Sequence, residues 1–213
     1  MNANPSDGSD RRPIQTRSKA WAKRMAGGLA ERKITPNQIS VASVVFALIG
    51  AGILLLWPTP LGMVLCAITI QCRLLCNMFD GMVAVEWEQQ SPVGALYNEL
   101  PDRFADALFL VPLGFVLGHP WIGWVAALGA MLTAYLRAFG GTQGLAQDFC
   151  GPMAKPQRMA VLTLGLIAAA IEWTIADSIY SLWIAAGLIL LGLVVTCWRR
   201  TVRIVQGLQA GGE

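Results

Sequence analysis

The chain has 213 residues, of which 55% are hydrophobic and only 14% are charged. Soluble domains contain about 25% charged residues, so this composition, with a mean hydropathy of +0.53, disfavours a soluble domain and predicts an all-α membrane protein. The net charge of +3 requires no nucleic-acid partner to explain it.

The first 33 residues are polar and basic, and they lack the apolar core of a cleaved signal peptide. They contain half of the 16 Lys and Arg residues, namely Arg11, Arg12, Arg17, Lys19, Lys23, Arg24, Arg32 and Lys33. Residues 17–32 predict an N-terminal amphipathic helix on the membrane surface, with Trp21, Met25 and Leu29 on one face. The alternative is a solvated basic tail that only sets the topology.

Six apolar runs, each long enough for a membrane helix of roughly 20 residues, predict a six-transmembrane-helix bundle. They are residues 38–57, 61–85, 94–118, 121–140, 155–173 and 180–198. Their short connections favour one domain, so we expect a basic N-terminal segment (1–33), a six-helix domain (34–200) and a polar C-terminal tail (201–213).

Basic residues at both ends of the chain predict its orientation in the membrane. Arg199, Arg200 and Arg203 follow the last apolar run, as the basic segment precedes the first. Basic residues concentrate on the cytoplasmic side, so we expect both termini there, in agreement with an even number of spans. A bacterial inner membrane is the expected location.

The second apolar run contains polar residues at helical spacing. Arg73, Asn77, Asp80, Gly81 and Ala84 fall on one stripe of a helix with 100° per residue. Ionisable side chains inside a membrane segment are costly and indicate a functional site.

The third apolar run has a similar stripe, formed by Gly94, Asn98, Asp102 and Asp106. If the two stripes face each other, their carboxylate and amide oxygens suit a hard cation such as Mg²⁺ or Mn²⁺. The alternative is a buried salt-bridge network in which Arg73 and Arg103 neutralise the acids.

The two stripes together form a spaced pattern, Asn77-x-x-Asp80-Gly81-x-x-Ala84 followed by Gly94-x-x-x-Asn98-x-x-x-Asp102. This pattern resembles the signature of the CDP-alcohol phosphotransferase family, Asp-x-x-Asp-Gly-x-x-Ala-Arg and Gly-x-x-x-Asp-x-x-x-Asp. Weaker similarities are Pro36-Asn37 with Ser40 at the first run, Tyr135-x-Arg137-Ala138, and Lys155-Pro156-Gln157-Arg158. The resemblance covers about residues 33–200.

The resemblance implies a phospholipid-biosynthetic enzyme that transfers a phosphatidyl group from CDP-diacylglycerol to a polar alcohol and releases CMP. Membrane lipid and a second copy of the chain, in a homodimer, are the other implied partners. One or two Mg²⁺ or Mn²⁺ ions are the implied cofactor.

Transferred onto this chain, the resemblance and the two stripes predict four groups of site residues. The acids Asp80 and Asp102 are the predicted catalytic residues. The predicted metal ligands are Asn77, Asp80, Asn98, Asp102 and Asp106. The predicted nucleotide-binding residues are Asn37, Ser40, Arg73, Gly81, Ala84 and Gly94. The basic residues Arg137, Lys155 and Arg158 are predicted to bind an acceptor that carries a phosphate.

The chain departs from the family signature at Asn77 and Asn98, where the family has Asp, and at Val85, where it has Arg. Residues 151–160 and the two Asn positions resemble a divergent bacterial subgroup. Two divalent ions balance four carboxylates, whereas Asp80 and Asp102 alone balance one. We therefore hypothesise that Arg73 replaces part of the second ion, or that Asp106 restores the lost charge.

Two further functions remain open at the level of sequence. The chain could be a non-catalytic family member that binds nucleotide or lipid. It could also be a small ion-coupled transporter that uses Asp80, Asp102 and Arg73 as a relay, although the internal repeat typical of transporters is not evident.

Overall fold

The computed structural model describes residues 20–87 and 93–210, and every regular element within these ranges is a helix. The seven helices are α1 (Ala20–Glu31), α2 (Pro36–Leu56), α3 (Pro60–Glu86), α4 (Gly94–Val116), α5 (Pro120–Thr142), α6 (Lys155–Ala176) and α7 (Tyr180–Ala210). The basic residues before Ala20 lie outside the described residues, as does the start of the predicted surface helix.

Local sequence signals explain where the helices begin. Thr35 forms a capping box at α2: its hydroxyl accepts from the Gln38 N–H, and the Gln38 side chain accepts from the Thr35 N–H. Thr59 caps α3 through the Gly62 N–H, and a proline follows each of these caps at the first helical turn. At α7, the Glu172 carboxylate accepts the backbone N–H of Tyr180.

Five helices, α2, α3, α5, α6 and α7, are long and apolar enough to cross a membrane. The 23-residue α4 has sufficient length, but the first half of this helix contains Glu99, Asp102, Arg103 and Asp106. The predicted count of six spans therefore stays a prediction. Helix α7 is 31 residues long and includes residues 201–210 of the predicted tail.

The six long helices form a closed ring of neighbours. Helix α2 packs on α3 and α4, α4 on α5, α5 on α7, α7 on α6, and α6 on α3. The apolar core between them includes the fully buried side chains of Ile70, Phe109, Leu113, Leu162 and Leu166. Because helices that are consecutive along the chain alternate in direction, the starts of α2, α4 and α6 meet the ends of α3, α5 and α7 at one end of the bundle.

Helix α1 packs on the end of α3 through small residues. Ala22, Ala26 and Ala30 are buried in an apolar cluster with Phe79 and Met82 of α3. Of the three residues predicted to form the apolar membrane face, Trp21 and Met25 remain exposed, and Leu29 is half-buried against this cluster. The Trp21 ring also meets Phe79 edge-on. That α1 lies on a membrane surface stays a prediction.

Gly50 marks the closest approach of α2 to its neighbours. A Cβ atom at this position would lie 2.6 Å from the Cε1 atom of Phe109 and would also meet the Thr69 hydroxyl. At Gly52, on the same helix, a Cβ atom would meet nothing within 4 Å. Only the first of these two glycines is therefore required by packing.

This difference predicts that Gly50→Ala lowers the free energy of unfolding by about 1–3 kcal/mol relative to Gly52→Ala, because Phe109 cannot move aside in a packed core. The two variants gain the same helix propensity, so their difference isolates the clash. Thermal unfolding in detergent measures it, and identical midpoints would contradict the described packing.

Candidate functional site

Charged residues from three helices converge at the shared end of the bundle, and Asp102 of α4 is at their centre. One of its carboxylate oxygens, Oδ1, accepts from the Asn77 amide nitrogen and from Arg73 Nη2, the latter at 3.1 Å. The other oxygen, Oδ2, forms an ion pair with Lys155 Nζ at the start of α6. Both oxygens of Asp102 therefore have cationic partners.

Asp106, one turn further along α4, joins the same network. Its Oδ1 atom lies 3.4 Å from Arg73 Nη2, and its Oδ2 atom forms an ion pair with Arg158 Nη2. Arg158 also donates to the Met153 carbonyl at 3.2 Å. Arg73, Asp106 and Arg158 are all buried, so removal of one partner would leave an uncompensated charge inside the bundle.

Asp80 lies in the same region but has a different environment. Its Oδ2 atom accepts from the Ser40 hydroxyl of α2 at 2.7 Å. In contrast to Asp102 and Asp106, no ion pair links Asp80 to a Lys or Arg within the described ranges. Of the three acids, Asp80 is therefore the one whose charge is not already matched by a contacting cation.

The formal charges of this cluster balance. Asp80, Asp102 and Asp106 provide three negative charges, and Arg73, Lys155 and Arg158 provide three positive charges. Arg103 lies 3.9 Å from Asp102 Oδ2 but nearer to Glu99, at 3.5 Å, and stands outside this count. We call these six residues and Asn77 the charged cluster. The sequence predicted that Lys155 and Arg158 bind an acceptor. In the structure, Lys155 forms an ion pair with Asp102, and Arg158 forms one with Asp106.

The remaining predicted residues of α2, α3 and α4 lie near the charged cluster without joining its ion pairs. Gly81 and Ala84 are half-buried on α3, and Gly94 is half-buried at the start of α4. Asn98 is exposed one turn before Asp102. Asn37 is half-buried in the first turn of α2, one turn before Ser40.

The donor atoms of the charged cluster fit one divalent cation better than two. The amide nitrogen of Asn77 donates to Asp102, so its amide oxygen is the atom that could ligate a cation, on the same face of α3 as Asp80. A second cation at Asp102 would have to displace Lys155 or Arg73. The described residues contain no group of three or more His, Cys, Asp or Glu side chains arranged to hold a metal.

A second feature, which we call the arginine cavity, lies beside the charged cluster. It has a volume of about 300 Å³, and its polar lining includes Arg137, Asp148, Arg200 and Arg203. Arg137 forms an ion pair with Glu99 of α4. The cavity therefore combines three guanidinium groups with one acid.

The loop between α5 and α6 is attached to α7 beside the arginine cavity. Arg203 Nη1 lies 3.0 Å from Asp148 Oδ1, and Arg200 donates to the Cys150 carbonyl at 3.1 Å. Partial burial raises the pKa of Asp148, but the hydrogen bond from Cys150 and the charge of Arg203 outweigh it and lower this pKa below its usual range. A second Arg200 hydrogen bond, to the Thr133 carbonyl, fixes α7 against α5.

Sequence reasoning missed Arg200 and Arg203 as site residues because it assigned them only to membrane topology. Their spacing of three residues puts them on one face of α7, which was the available signal. Their loop partners Cys150 and Asp148, however, lie 50 and 55 residues before these two arginines, and no local pattern links the two segments.

The buried ion pairs predict that Asp106→Asn lowers the free energy of unfolding by about 3–5 kcal/mol, because the buried Arg158 would lose its carboxylate partner and Arg73 would keep only its contact with Asp102. The control is Asp148→Asn, which breaks a more exposed pair and should cost less than about 1 kcal/mol. Thermal unfolding in detergent compares them. Equal, small effects would show that the Asp106 pairs do not hold the bundle together.

Comparisons with known proteins agree with this fold. The sequence profile of the CDP-alcohol phosphatidyltransferase family matches residues 33–198. The Escherichia coli (strain K12) inner membrane protein YnbA is 27% identical over 166 residues, which are 76% of this chain and 82% of that protein. The archaetidylinositol phosphate synthase of Aeropyrum pernix is 30% identical over 150 residues, 70% of this chain and 75% of that protein.

Solved structures of Mycobacterium tuberculosis phosphatidylinositol phosphate synthase (PgsA1) share the fold at 20% sequence identity. The complex with manganese and citrate has a TM-score of 0.73 and covers 86% of this chain and 88% of that one. The form with CDP-DAG bound has a TM-score of 0.72 and covers 86% and 92%. Likeness at this identity concerns the fold alone.

Proposed function

The chain belongs to the CDP-alcohol phosphatidyltransferase family, and from this premise we propose an enzyme that transfers a phosphatidyl or similar phospho-alcohol group. The donor would be CDP-diacylglycerol, the acceptor a polar alcohol, and the released product CMP. The observation that supports this most strongly is the convergence of Asn77 and Asp80 of α3 with Asp102 of α4 at one end of the bundle. These are signature positions of the family.

The proposed setting is a bacterial inner membrane, crossed six times, with both termini in the cytoplasm. Helix α4 would be the sixth span, because the ion pairs of Asp102 and Asp106 neutralise charges that would otherwise oppose insertion. The second half of α4 is apolar, and Phe109, Leu110 and Leu113 are fully buried there. The similarity to an inner membrane protein supports this location.

In the proposed mechanism, the α3 side of the charged cluster holds the nucleotide. Asp80 and the amide oxygen of Asn77 would ligate one Mg²⁺ or Mn²⁺ ion, with Asn98 as a further oxygen donor. Such an ion withdraws electron density from phosphoryl oxygens and stabilises charge on the departing CMP. Ser40 fixes the Asp80 carboxylate through its 2.7 Å hydrogen bond.

Small and polar residues near Asp80 would contact the CDP moiety. Gly81, Ala84 and Gly94 have side chains short enough for a ligand to approach the backbone, and Asn37 lies one turn before Ser40. Asp102 would accept the proton of the acceptor hydroxyl, with Lys155 and Arg73 holding its carboxylate in place.

The proposed acceptor carries a phosphate, as in glycerol phosphate or inositol phosphate, and binds in the arginine cavity. Arg137, Arg200 and Arg203 line it, and guanidinium groups bind phosphate oxygens in pairs. A volume of about 300 Å³ suits a small head group rather than a second lipid. Arg158 was predicted from the sequence to bind the acceptor, but it is buried in an ion pair with Asp106. It would therefore not contact the phosphate directly.

The proposal also includes the bounds of the domain, the subgroup of the family and the oligomeric state. The domain would comprise residues 34–200, flanked by a basic N-terminal segment and a C-terminal tail. The Asn residues at positions 77 and 98 would place the chain in a divergent bacterial subgroup. The enzyme would work as a homodimer, as the resemblance implies.

One observation favours a second candidate, a family member that binds nucleotide without transferring the phosphatidyl group. Two positions that have Asp in the family signature are Asn77 and Asn98 in this chain. Asp102, at another signature position, is already paired with cations. Such a protein would bind CDP-diacylglycerol and release no CMP with any acceptor.

The proposed function predicts that the purified protein releases CMP from CDP-diacylglycerol and forms a new phospholipid when it receives a pool of polar acceptors. Asp80→Asn should lower this release by at least about 100-fold, because a preorganised charge at the reacting phosphate is lost. Nucleotide release and lipid mass spectrometry measure both products.

Asp177→Asn is the matched control, because Asp177 is exposed at the far end of α6 in a left-handed conformation that Asn tolerates. It should keep wild-type activity. Absence of CMP release by the wild type, together with intact nucleotide binding, would favour the non-catalytic candidate. Full activity of Asp80→Asn would contradict the assigned site.

The acceptor proposal predicts that Arg137→Ala raises KM for a phosphorylated acceptor by on the order of 10-fold or more, because charge-assisted hydrogen bonds contribute about 1.5–3 kcal/mol. Arg199→Ala, at an exposed neighbour of the cavity residue Arg200, is the control. If both variants keep the wild-type KM, the phosphate does not bind at Arg137.

A further inference from the structure

The cations on Asp102 differ in their access to a ligand. Arg73 is 0% exposed, and its Nη2 atom lies between Asp102 and Asp106 at 3.1 and 3.4 Å. The Lys155 side chain is 24% exposed and contacts the opposite oxygen of Asp102, Oδ2. Arg103 is 17% exposed and lies 3.9 Å from the same oxygen, but it is nearer to Glu99, at 3.5 Å. Arg73 therefore belongs to the buried framework, and Lys155 is the most exposed cation in direct contact with Asp102.

The position of Lys155 follows from the start of α6. Lys155 is the first residue of the helix, and Pro156 follows it in the first turn. The lysine backbone is thereby fixed at the shared end of the bundle, while its flexible side chain extends to Asp102. An ammonium group on such a stem acts as a compact point charge, which is the electrostatic contribution of a small cation.

Charge balance limits how many divalent ions this cluster can hold. The three acids and three basic side chains sum to zero before any ligand binds. The pyrophosphate of a CDP-alcohol has two negative charges, which one divalent ion would neutralise. A second divalent ion would leave two uncompensated positive charges in a region of low dielectric, where unpaired charge is costly.

We propose that Lys155 takes the place of a second divalent cation at Asp102, so that the chain binds one such ion, at Asp80 and Asn77. This inference rests on the proposed function and specifies how many divalent ions the same site binds. It also changes the residue expected to replace the ion: Lys155 has this role, and Arg73 instead holds Asp102 and Asp106 together.

Lys155 then has two contributions to the reaction. Its ammonium occupies Asp102 Oδ2, which keeps a divalent ion away from the carboxylate that receives the acceptor proton. The same charge is available to the phosphoryl oxygens of a bound nucleotide. A divalent ion at Asp102 would have to displace this ammonium and would then lie close to Arg73, and repulsion between like charges opposes its entry.

The test is the number of Mn²⁺ ions bound by the purified full chain in detergent with CDP-diacylglycerol and no acceptor, measured by electron paramagnetic resonance against the same lipid and detergent without protein. The wild type should bind one Mn²⁺ tightly, and Asp80→Asn should lose it. Lys155→Met should bind two, because both the blocking ammonium and its charge are gone. Asp102→Asn, in contrast, should still bind one.

Arg199→Met is the control, because it removes a cation that does not contact the charged cluster, and it should bind one Mn²⁺. Two tight ions in the wild type, a single ion in Lys155→Met, or loss of the ion in Asp102→Asn would each overturn the proposal. The wild-type measurement is decisive even if a variant fails to fold, and Lys155→Gln provides a second, more conservative replacement.

The Mn²⁺ count tests the role of Lys155, and CMP release tests the proposed function, so the two can fail independently. Two Mn²⁺ ions with CMP release would overturn the role of Lys155 and leave the transferase assignment intact. One Mn²⁺ ion without CMP release would support the single-ion site and contradict the transferase assignment.

Discussion

The pairing of Asp102 with Arg73 and Lys155 is the interaction on which the rest of this structure depends. A carboxylate in a bundle of membrane-length helices is stable only if nearby cations compensate it. Here the compensation links α3, α4 and α6 at one end of the bundle. The same contacts hold Asn77 beside Asp102, and Asp106 extends them to Arg158. One network therefore both joins the helices and shapes the candidate site.

The division of labour among the three acids follows from their partners. Asp102 and Asp106 are matched by basic side chains, so they contribute to cohesion and to orientation of the site. Asp80 has a hydroxyl partner, Ser40, and retains a charge that a ligand ion can use. Where the family signature has four Asp residues, this chain has Asn77 and Asn98 at two of the positions, and its Asp102 contacts Arg73 and Lys155.

Much of the fold could be predicted from sequence because its signals are local. The predicted run 180–198 lies within α7, and the run 38–57 ends one residue after α2, whose start Thr35 and Pro36 mark. Helical spacing also placed Asp80 and Asn77 on one face, since it depends only on the geometry of a single helix. The hydrogen bond from Asn77 to Asp102 agrees with the prediction that the stripes of α3 and α4 face each other.

The roles of Lys155, Arg158 and Arg200 could not be predicted because they depend on contacts between distant segments. Lys155 and Asp102 are 53 residues apart, and Arg200 and Thr133 are 67 apart. Spacing within one helix contains no information about which neighbouring helix supplies a cation. The apolar face of α1 was equally hard to assign, because its alanines are buried against α3, whereas Met25 stays exposed and Trp21 only meets the edge of Phe79.

The most direct test of the account is a crystal structure of the protein with CDP-diacylglycerol and Mn²⁺, in which anomalous scattering locates the metal. The account predicts one Mn²⁺ ion in contact with Asp80, the pyrophosphate beside it, and Lys155 still in contact with Asp102. A nucleotide bound away from Asp80, or a Mn²⁺ ion ligated by Asp102 in place of Lys155, would contradict it.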